Sequence, residues 1–195
     1  MPLISFEGLD QSGKQTQAEL LVEALAAKGH DVHFLSFPDY NTAIGAEIAR
    51  ALQGQHDYAP DALQLLYIAN RYERRPQVEG WLADGGVVVC DRYLASSVAY
   101  GEAQGLDSDW LVTVQRLLPQ PSLTLLLDIP PDASLQRKQR DRDRYERDLA
   151  LLGRVRASYL RQAAAPEWVR VDGSRAKDVV TADVLNAVRS RLALL

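Results

Sequence analysis

The chain has 195 residues, 47% of them hydrophobic and 25% charged, with a formal charge of −4. That length fits one α/β domain with a full core and leaves no room for a second large one, and the mild acidity excludes a globally basic nucleic-acid or membrane-surface binder. Cys90 is the single cysteine, so an internal disulfide is excluded, and no apolar run approaches the ~20 residues of a membrane helix.

The first strand signal is Leu3 to Phe6, followed by a helix-compatible stretch from Lys14 to Lys28 that Gly29 closes. Val32 to Phe37 reads as a second strand, ended by Pro38, with a helix near Ile44 to Leu52 after it. A long helix is expected from about Pro60 to Ala83, where Leu63, Leu66, Tyr67 and Asn70 recur at helical spacing and Gly85 and Gly86 end the pattern. Val87 to Asp91 is the third strand and Leu123 to Asp128 the fourth, the latter flanked by Pro121 and Pro130. Trp168 to Val171 is the fifth, and a final helix runs to the C-terminus. Continuous apolar strands separated by helices imply a five-stranded, mainly parallel sheet in three layers, apolar on both faces and covered by helices on both sides. One domain over 1–195 is expected, without repeats or linkers. Ligands of such sheets bind at the carboxyl ends of the strands. The N-terminus runs straight into the first strand with no leader-like segment, so the expected location is the cytoplasm.

Residues 6–17 read FEGLDQSGKQTQ. Gly8, Gly13 and Lys14 have the spacing of a phosphate-binding loop with a strand before and a helix after. A glycine-containing turn aims backbone N–H groups at phosphate oxygens, the helix N-terminus adds its positive end, and Lys14 reaches the β- and γ-phosphates. Gly8, Leu9, Asp10, Gln11, Ser12, Gly13, Lys14, Gln15 and Thr16 are therefore the candidate ATP-binding residues. One position departs from the pattern: Gln15 stands where a Ser or Thr hydroxyl normally binds Mg²⁺. Thr16 lies about 100° further around the helix and is no simple substitute. Asp10 is the candidate carboxylate for an Mg²⁺ carried in with ATP.

The surrounding motifs, in order, resemble the thymidylate kinase family over nearly the whole chain: FEGLD with GKQTQ, SFPDY (36–40), LLYIANRYE (65–73), DRYLASSVAYG (91–101), PSLTLLLDIP (121–130), RKQRDRDRYER (137–147) and VDGS (171–174). The resemblance implies a P-loop kinase fold that transfers the γ-phosphate of ATP to dTMP, with an Arg-rich lid at about 137–147 and homodimers formed through helices flanking the third strand. It implies that Tyr67 stacks on thymine, Arg71 donates to its O4, Ser97 lies near the base and Tyr100 packs under the deoxyribose. Arg92 would grip the acceptor phosphate, with Asp91 orienting that arginine or the metal's water shell, while Phe37 and Tyr40 come off the second strand, Tyr40 to hydrogen-bond the acceptor phosphate. Asp143 and Tyr145 would approach from the lid. Gln11 stands where some members carry a catalytic arginine, so Arg137 and Arg140 are the first candidates to supply that charge, joining Lys14, Asp10 and Arg92. VDGS resembles the adenine-side loop.

The acceptor is a phosphate monoester with a second pKa of about 6, so it needs no general base; the task is to offset repulsion between two polyanions. ATP and dTMP are the expected partners, with no nucleic acid or membrane. Another nucleoside-monophosphate kinase, a deoxynucleoside kinase and a non-catalytic nucleotide-binding protein are the alternatives. Gln15 generates the first test. Full Mg²⁺ dependence is expected, with Gln15→Ser changing turnover by less than roughly tenfold, since water can replace one protein ligand. A gain of several orders of magnitude in an Mg²⁺ titration would show that Gln15 impairs the loop.

Overall fold

The computed structural model describes residues 2–137 and 148–195. Its elements are β1 (Leu3–Glu7), α1 (Lys14–Ala27), β2 (Val32–Ser36), α2 (Ala43–Leu52), α3 (Pro60–Ala83), β3 (Val87–Asp91), α4 (Leu94–Ala103), α5 (Ser108–Val114), β4 (Leu123–Asp128), α6 (Pro131–Arg137), α7 (Leu149–Gln162), β5 (Trp168–Asp172) and α8 (Lys177–Leu192). The five strands form one sheet in the order β2-β3-β1-β4-β5, and every pairing is parallel.

Alternation along β1 builds the two layers around the sheet. Ile4 and Phe6 face α1 and α8, packing with Leu21, Leu25, Val184 and Val188. Leu3, Ser5 and Glu7 alternate with them, and Ser5 meets Thr124 of β4 through a 3.0 Å hydroxyl pair. On that side Leu126, Ile129, Leu152, Val155 and Tyr159 form a second core beneath α4 and α7. β1 sits at the centre, so its C-terminal loop emerges between β3 and β4.

Two sequence expectations need correction. The edge strands are not buried on both faces: β2 is half-buried along most of its length and β5 alternates between buried and exposed positions. Each has a neighbour on one side only. Helices α4 and α5 lay in a stretch to which the sequence assigned no element. Seven of the ten α4 residues are buried, and small side chains such as Ala95, Ser96 and Ala99 give it no apolar stripe to recognise. The lid expected at about 137–147 lies outside the described residues beyond Arg137.

After β2 the chain passes through a cis Phe37–Pro38 bond into a turn held by α3. The Asn70 side chain accepts from Asp39 N at 2.8 Å and donates to Asp39 O at 3.2 Å, and Arg74 Nε donates to the Asp39 carboxylate at 2.7 Å. Thr42 caps α2, accepting from Gly45 N at 3.0 Å. Gly45 packs so tightly that a Cβ there would fall 1.8 Å from Asp39 O. Gly45→Ala must therefore push this turn outward, and we expect a stability loss of roughly 1–3 kcal/mol. Chemical denaturation checks this; an unchanged midpoint would mean that the turn yields freely.

Candidate active site

The loop between β1 and α1 takes left-handed backbone at Gly8 (φ 139), Gln11 (φ 62) and Gly13 (φ 94). At Gly8 the requirement is also steric, since a Cβ would lie 2.4 Å from Leu127 O. The loop curls around Lys14, whose Nζ donates to Leu9 O at 2.7 Å and reaches Ser12 Oγ at 3.5 Å. Burial pushes the Lys14 ammonium down, the nearby Arg92 charge pushes it further, and the result is a pKa of about 8 despite Asp10, Asp91 and Glu7. Asp10, Gln11, Gly13, Lys14, Gln15, Thr16, Asp91 and Arg92 line the adjoining cavity.

Arg92 joins this loop to the rest of the site. It follows β3 in a left-handed conformation (φ 61), which turns its side chain back across the strand ends. Nη2 donates to Asp10 Oδ1 at 2.5 Å, and Nη1 faces Gly8 O, Ser96 Oγ and Tyr159 OH at 3.0, 3.1 and 3.2 Å. Tyr100 donates to Asp10 Oδ2 at 3.1 Å, and its ring lies under the guanidinium with 5.4 Å from Cζ to the centroid. Burial raises the Asp10 carboxyl, but Arg92, Lys14 and the Tyr100 hydroxyl outweigh it and hold the pKa at about 2.

Behind Arg92 lies a buried carboxylate that the sequence reading passed over. Glu7 ends β1, fully buried. It accepts from Tyr93 N at 2.9 Å, Ser96 Oγ at 2.6 Å and Tyr159 OH at 3.2 Å. Its place in FEGLD, next to Gly8, was the available signal. Tyr159, far along the chain on α7, offered none.

A cleft of about 550 Å³, open solvent at its mouth included, extends from Asp10 and Arg92 to Phe37, Tyr40, Tyr67, Arg71, Ser97 and Tyr100. Arg71 is buried, donates to Ser97 Oγ at 2.8 Å and Tyr67 O at 3.1 Å, and sits 5.8 Å from the Phe37 ring centroid. Its Nε has no partner among the described residues. Pro38, Leu52, Gln64 and Ser96 complete the lining and were not anticipated. Gln64 was recognisable in principle, because it shares a helical face with Tyr67 and Arg71.

Other expected residues fall elsewhere. Asp91 is not the hydrogen-bond partner of Arg92; Asp10 takes that place, and Asp91 faces the phosphate cavity with Oδ1 buried and unpartnered among the described residues. The Leu9 side chain is core, and only its carbonyl serves the loop. Gln15 is turned along α1 to Glu19, 2.9 Å away. Arg137 donates to Gln11 O and Gly173 O, both at 3.0 Å, and lines a cavity with Ser12 and Gly13 of the phosphate loop, Thr16, Gly173, Arg175 and Lys177. Arg140, Asp143 and Tyr145 lie outside the described residues. No cluster of three potential metal ligands exists among the described residues. Both Asp10 oxygens are engaged by Arg92 and Tyr100, whereas Asp91 lines the phosphate cavity with no hydrogen-bond partner for Oδ1 among the described residues.

A phosphate loop at the centre of a parallel sheet, with an anion-binding arginine facing a second nucleotide-sized cleft, defines a P-loop kinase of small nucleotide acceptors. A family model described as thymidylate kinase matches residues 6–184. Thymidylate kinase from Plasmodium falciparum is 33% identical over 186 residues, covering 95% of this chain and 88% of that protein. The Homo sapiens enzyme is 34% identical over 184 residues, covering 93% and 87%. The solved structure of thymidylate kinase from Candida albicans superposes with a TM-score of 0.88 at 30% identity, covering all of this chain and 93% of that one. The chain belongs to the thymidylate kinase family.

The lowered pKa of Lys14 has a kinetic consequence. The charged amine is the form that attracts phosphate, so kcat/KM for ATP should fall as pH rises through about 8, well before an ordinary lysine would titrate. At saturating ATP the bound polyanion favours the charged amine, and kcat should hold to higher pH. Paired pH profiles test this; a flat kcat/KM up to pH ~10 would contradict it.

Proposed function

We infer that the protein transfers the γ-phosphoryl group of ATP to the phosphate of dTMP, giving dTDP and ADP for dTTP synthesis. The observation that carries the reading, beside family membership, is the cleft itself. It offers an aromatic ring and an arginine at one end, Tyr67 and Arg71, and an anion-binding arginine beside the phosphate loop at the other.

In this reading thymine stacks on Tyr67, and the Arg71 guanidinium donates to the base O4. Cytosine, with an amino group at that edge, leaves the donor unpaired and binds more weakly. Ser97, already bonded to Arg71, fixes the angle of the guanidinium. Phe37 and Tyr40 wall the cleft, and Tyr100 fills the space beneath the deoxyribose. Arg92 takes the acceptor phosphate, and Lys14 with the loop N–H groups takes the β- and γ-phosphates. The two anions then lie in line between fixed cations, and charge spreading in the transition state meets groups already in place. Mg²⁺ is the divalent ion we propose; carried in with ATP it would neutralise phosphate charge, with Asp91 the carboxylate that would hold its shell and Asp10 occupied in holding Arg92. Arg137, placed next to Gly173, is assigned to the purine side of ATP rather than to the reacting phosphates. Arg140, Asp143 and Tyr145 belong to the proposed lid of a single domain spanning 1–195.

We place the protein in the cytoplasm as a homodimer working on diffusible ATP and dTMP, without nucleic acid or membrane. Among the described residues no helix is long and apolar enough to cross a membrane, and the exposed Leu65 on α3 and Val112 on α5 leave apolar surface for a second copy.

A coupled ADP-release assay with dTMP, dUMP, dCMP, dGMP and thymidine tests the reading. dTMP should be the best acceptor, and Lys14→Met should lower its turnover by roughly 10³-fold or more while the protein stays folded. Thymidine as the preferred acceptor would make this a nucleoside kinase, and no turnover with any acceptor would leave only a nucleotide binder.

A further inference from the structure

Glu7 lines neither the acceptor cleft nor the phosphate cavity, yet it is a carboxylate with no exposed surface at the end of β1. Burying a carboxylate is costly unless donors surround it. Three do: Tyr93 N donates to Oε1 at 2.9 Å, and Ser96 Oγ and Tyr159 OH donate to Oε2 at 2.6 and 3.2 Å. The same two hydroxyls accept from Arg92 Nη1 at 3.1 and 3.2 Å, and they lie 2.8 Å from each other. Glu7 is thus one hydroxyl away from the guanidinium by two separate routes.

A hydroxyl has one proton and two lone pairs, a guanidinium only donates, and an ionised carboxylate only accepts. Ser96 and Tyr159 therefore stand between an obligate donor and an obligate acceptor. Their protons point toward Glu7 or toward each other, which leaves lone pairs aimed at Arg92. Burial and the Glu7 charge push the Tyr159 phenol up, so it stays protonated and the order holds. A glutamine of the same shape cannot set this order. With its amide nitrogen in the Oε1 place it meets the Tyr93 N–H. In the Oε2 place it donates to both hydroxyls, and one hydroxyl proton is left with only Arg92 to face. We propose that Glu7 is a positioning residue: acting through Ser96 and Tyr159, it fixes the Arg92 guanidinium in the orientation that receives the acceptor phosphate. The inference rests on Arg92 being the group that holds that phosphate.

The test measures equilibrium binding of dTMP and of thymidine to wild type, Glu7→Gln, Tyr159→Phe and the double variant. Glu7→Gln keeps the side-chain volume, and dTMP should bind it about 3- to 10-fold more weakly, the factor for one misdirected hydrogen bond. Thymidine affinity should stay within about twofold. Tyr159→Phe removes one of the two hydroxyls and should also weaken dTMP alone, by a similar or smaller factor. In the double variant the loss should fall short of the product of the two, because both changes reach Arg92 through one network. Equal weakening of dTMP and thymidine by Glu7→Gln would make Glu7 part of the scaffold and overturn the proposal, as would losses that multiply in full. Should Glu7→Gln fail to fold, Tyr159→Phe decides alone, and unchanged dTMP affinity there overturns the proposal. Wild type separates the two claims. If it binds dTMP no more tightly than thymidine, the reading of Arg92 fails and takes this one with it, whereas a wild-type preference that survives intact in Glu7→Gln ends only the role of Glu7.

Discussion

The ion pair between Asp10 and Arg92 organises the molecule's working end. Asp10 belongs to the loop after β1 and Arg92 to the turn after β3, and those strands are hydrogen-bonded neighbours in the sheet. Their guanidinium–carboxylate contact at 2.5 Å joins the two loops directly beyond the strand ends. Arg92 extends the connection to α4 through Ser96 and to α7 through Tyr159. Such a half-buried pair adds little net stability, because desolvation offsets attraction, and losing one member strands the other charge at a fraction of the roughly 3–5 kcal/mol that a fully buried pair would cost. Its value lies in placement. A guanidinium already desolvated and held by several acceptors has little orientational freedom left to lose when a phosphate arrives.

The same centre holds two like charges close together. Lys14 and Arg92 face one cavity and repel each other, and that repulsion joins burial in lowering the Lys14 pKa. Asp10 answers part of the positive charge, and Glu7 lies behind Arg92 with its oxygens committed to Tyr93, Ser96 and Tyr159. A polyphosphate bound between Lys14 and Arg92 relieves the repulsion between them, so the attraction grows where charge develops during transfer. Asp91 lines that cavity, and in the proposed function it takes the place beside the nucleotide's cation because the Asp10 oxygens are both engaged.

Much of this was legible in the chain because periodicity and motif agreed. The bounds of α3, β3 and β4 follow directly from prolines, glycines and apolar runs, and the phosphate loop from its glycine and lysine spacing. Tyr67, Arg71, Arg92, Ser97 and Tyr100 do converge on one cleft, as the family resemblance implied. What escaped reading escaped for physical reasons. Helix α4 is buried nearly all round, so its pattern has no polar face to contrast with an apolar one. The pairing of Arg92 with Asp10 rather than its sequence neighbour Asp91 depends on a left-handed backbone at Arg92, which no local composition announces. Tyr159 and Glu7 are 152 residues apart and meet only through sheet topology. Gln64 was hidden in an apolar stretch, where a polar residue is easily taken for the exposed side of a helix.

The central claim is that Arg92 is pre-positioned to hold the acceptor's phosphate. Equilibrium binding of dTMP and of thymidine to wild type and to Arg92→Lys tests it most directly, because the two ligands differ only in the group Arg92 is said to hold. Lysine keeps the charge but loses the fork that reaches Asp10 and phosphate together. dTMP should bind about 10- to 100-fold more weakly to the variant, the range for a charge-assisted hydrogen bond, while thymidine affinity stays within about twofold. Equal weakening of both ligands, or none for dTMP, would contradict the account.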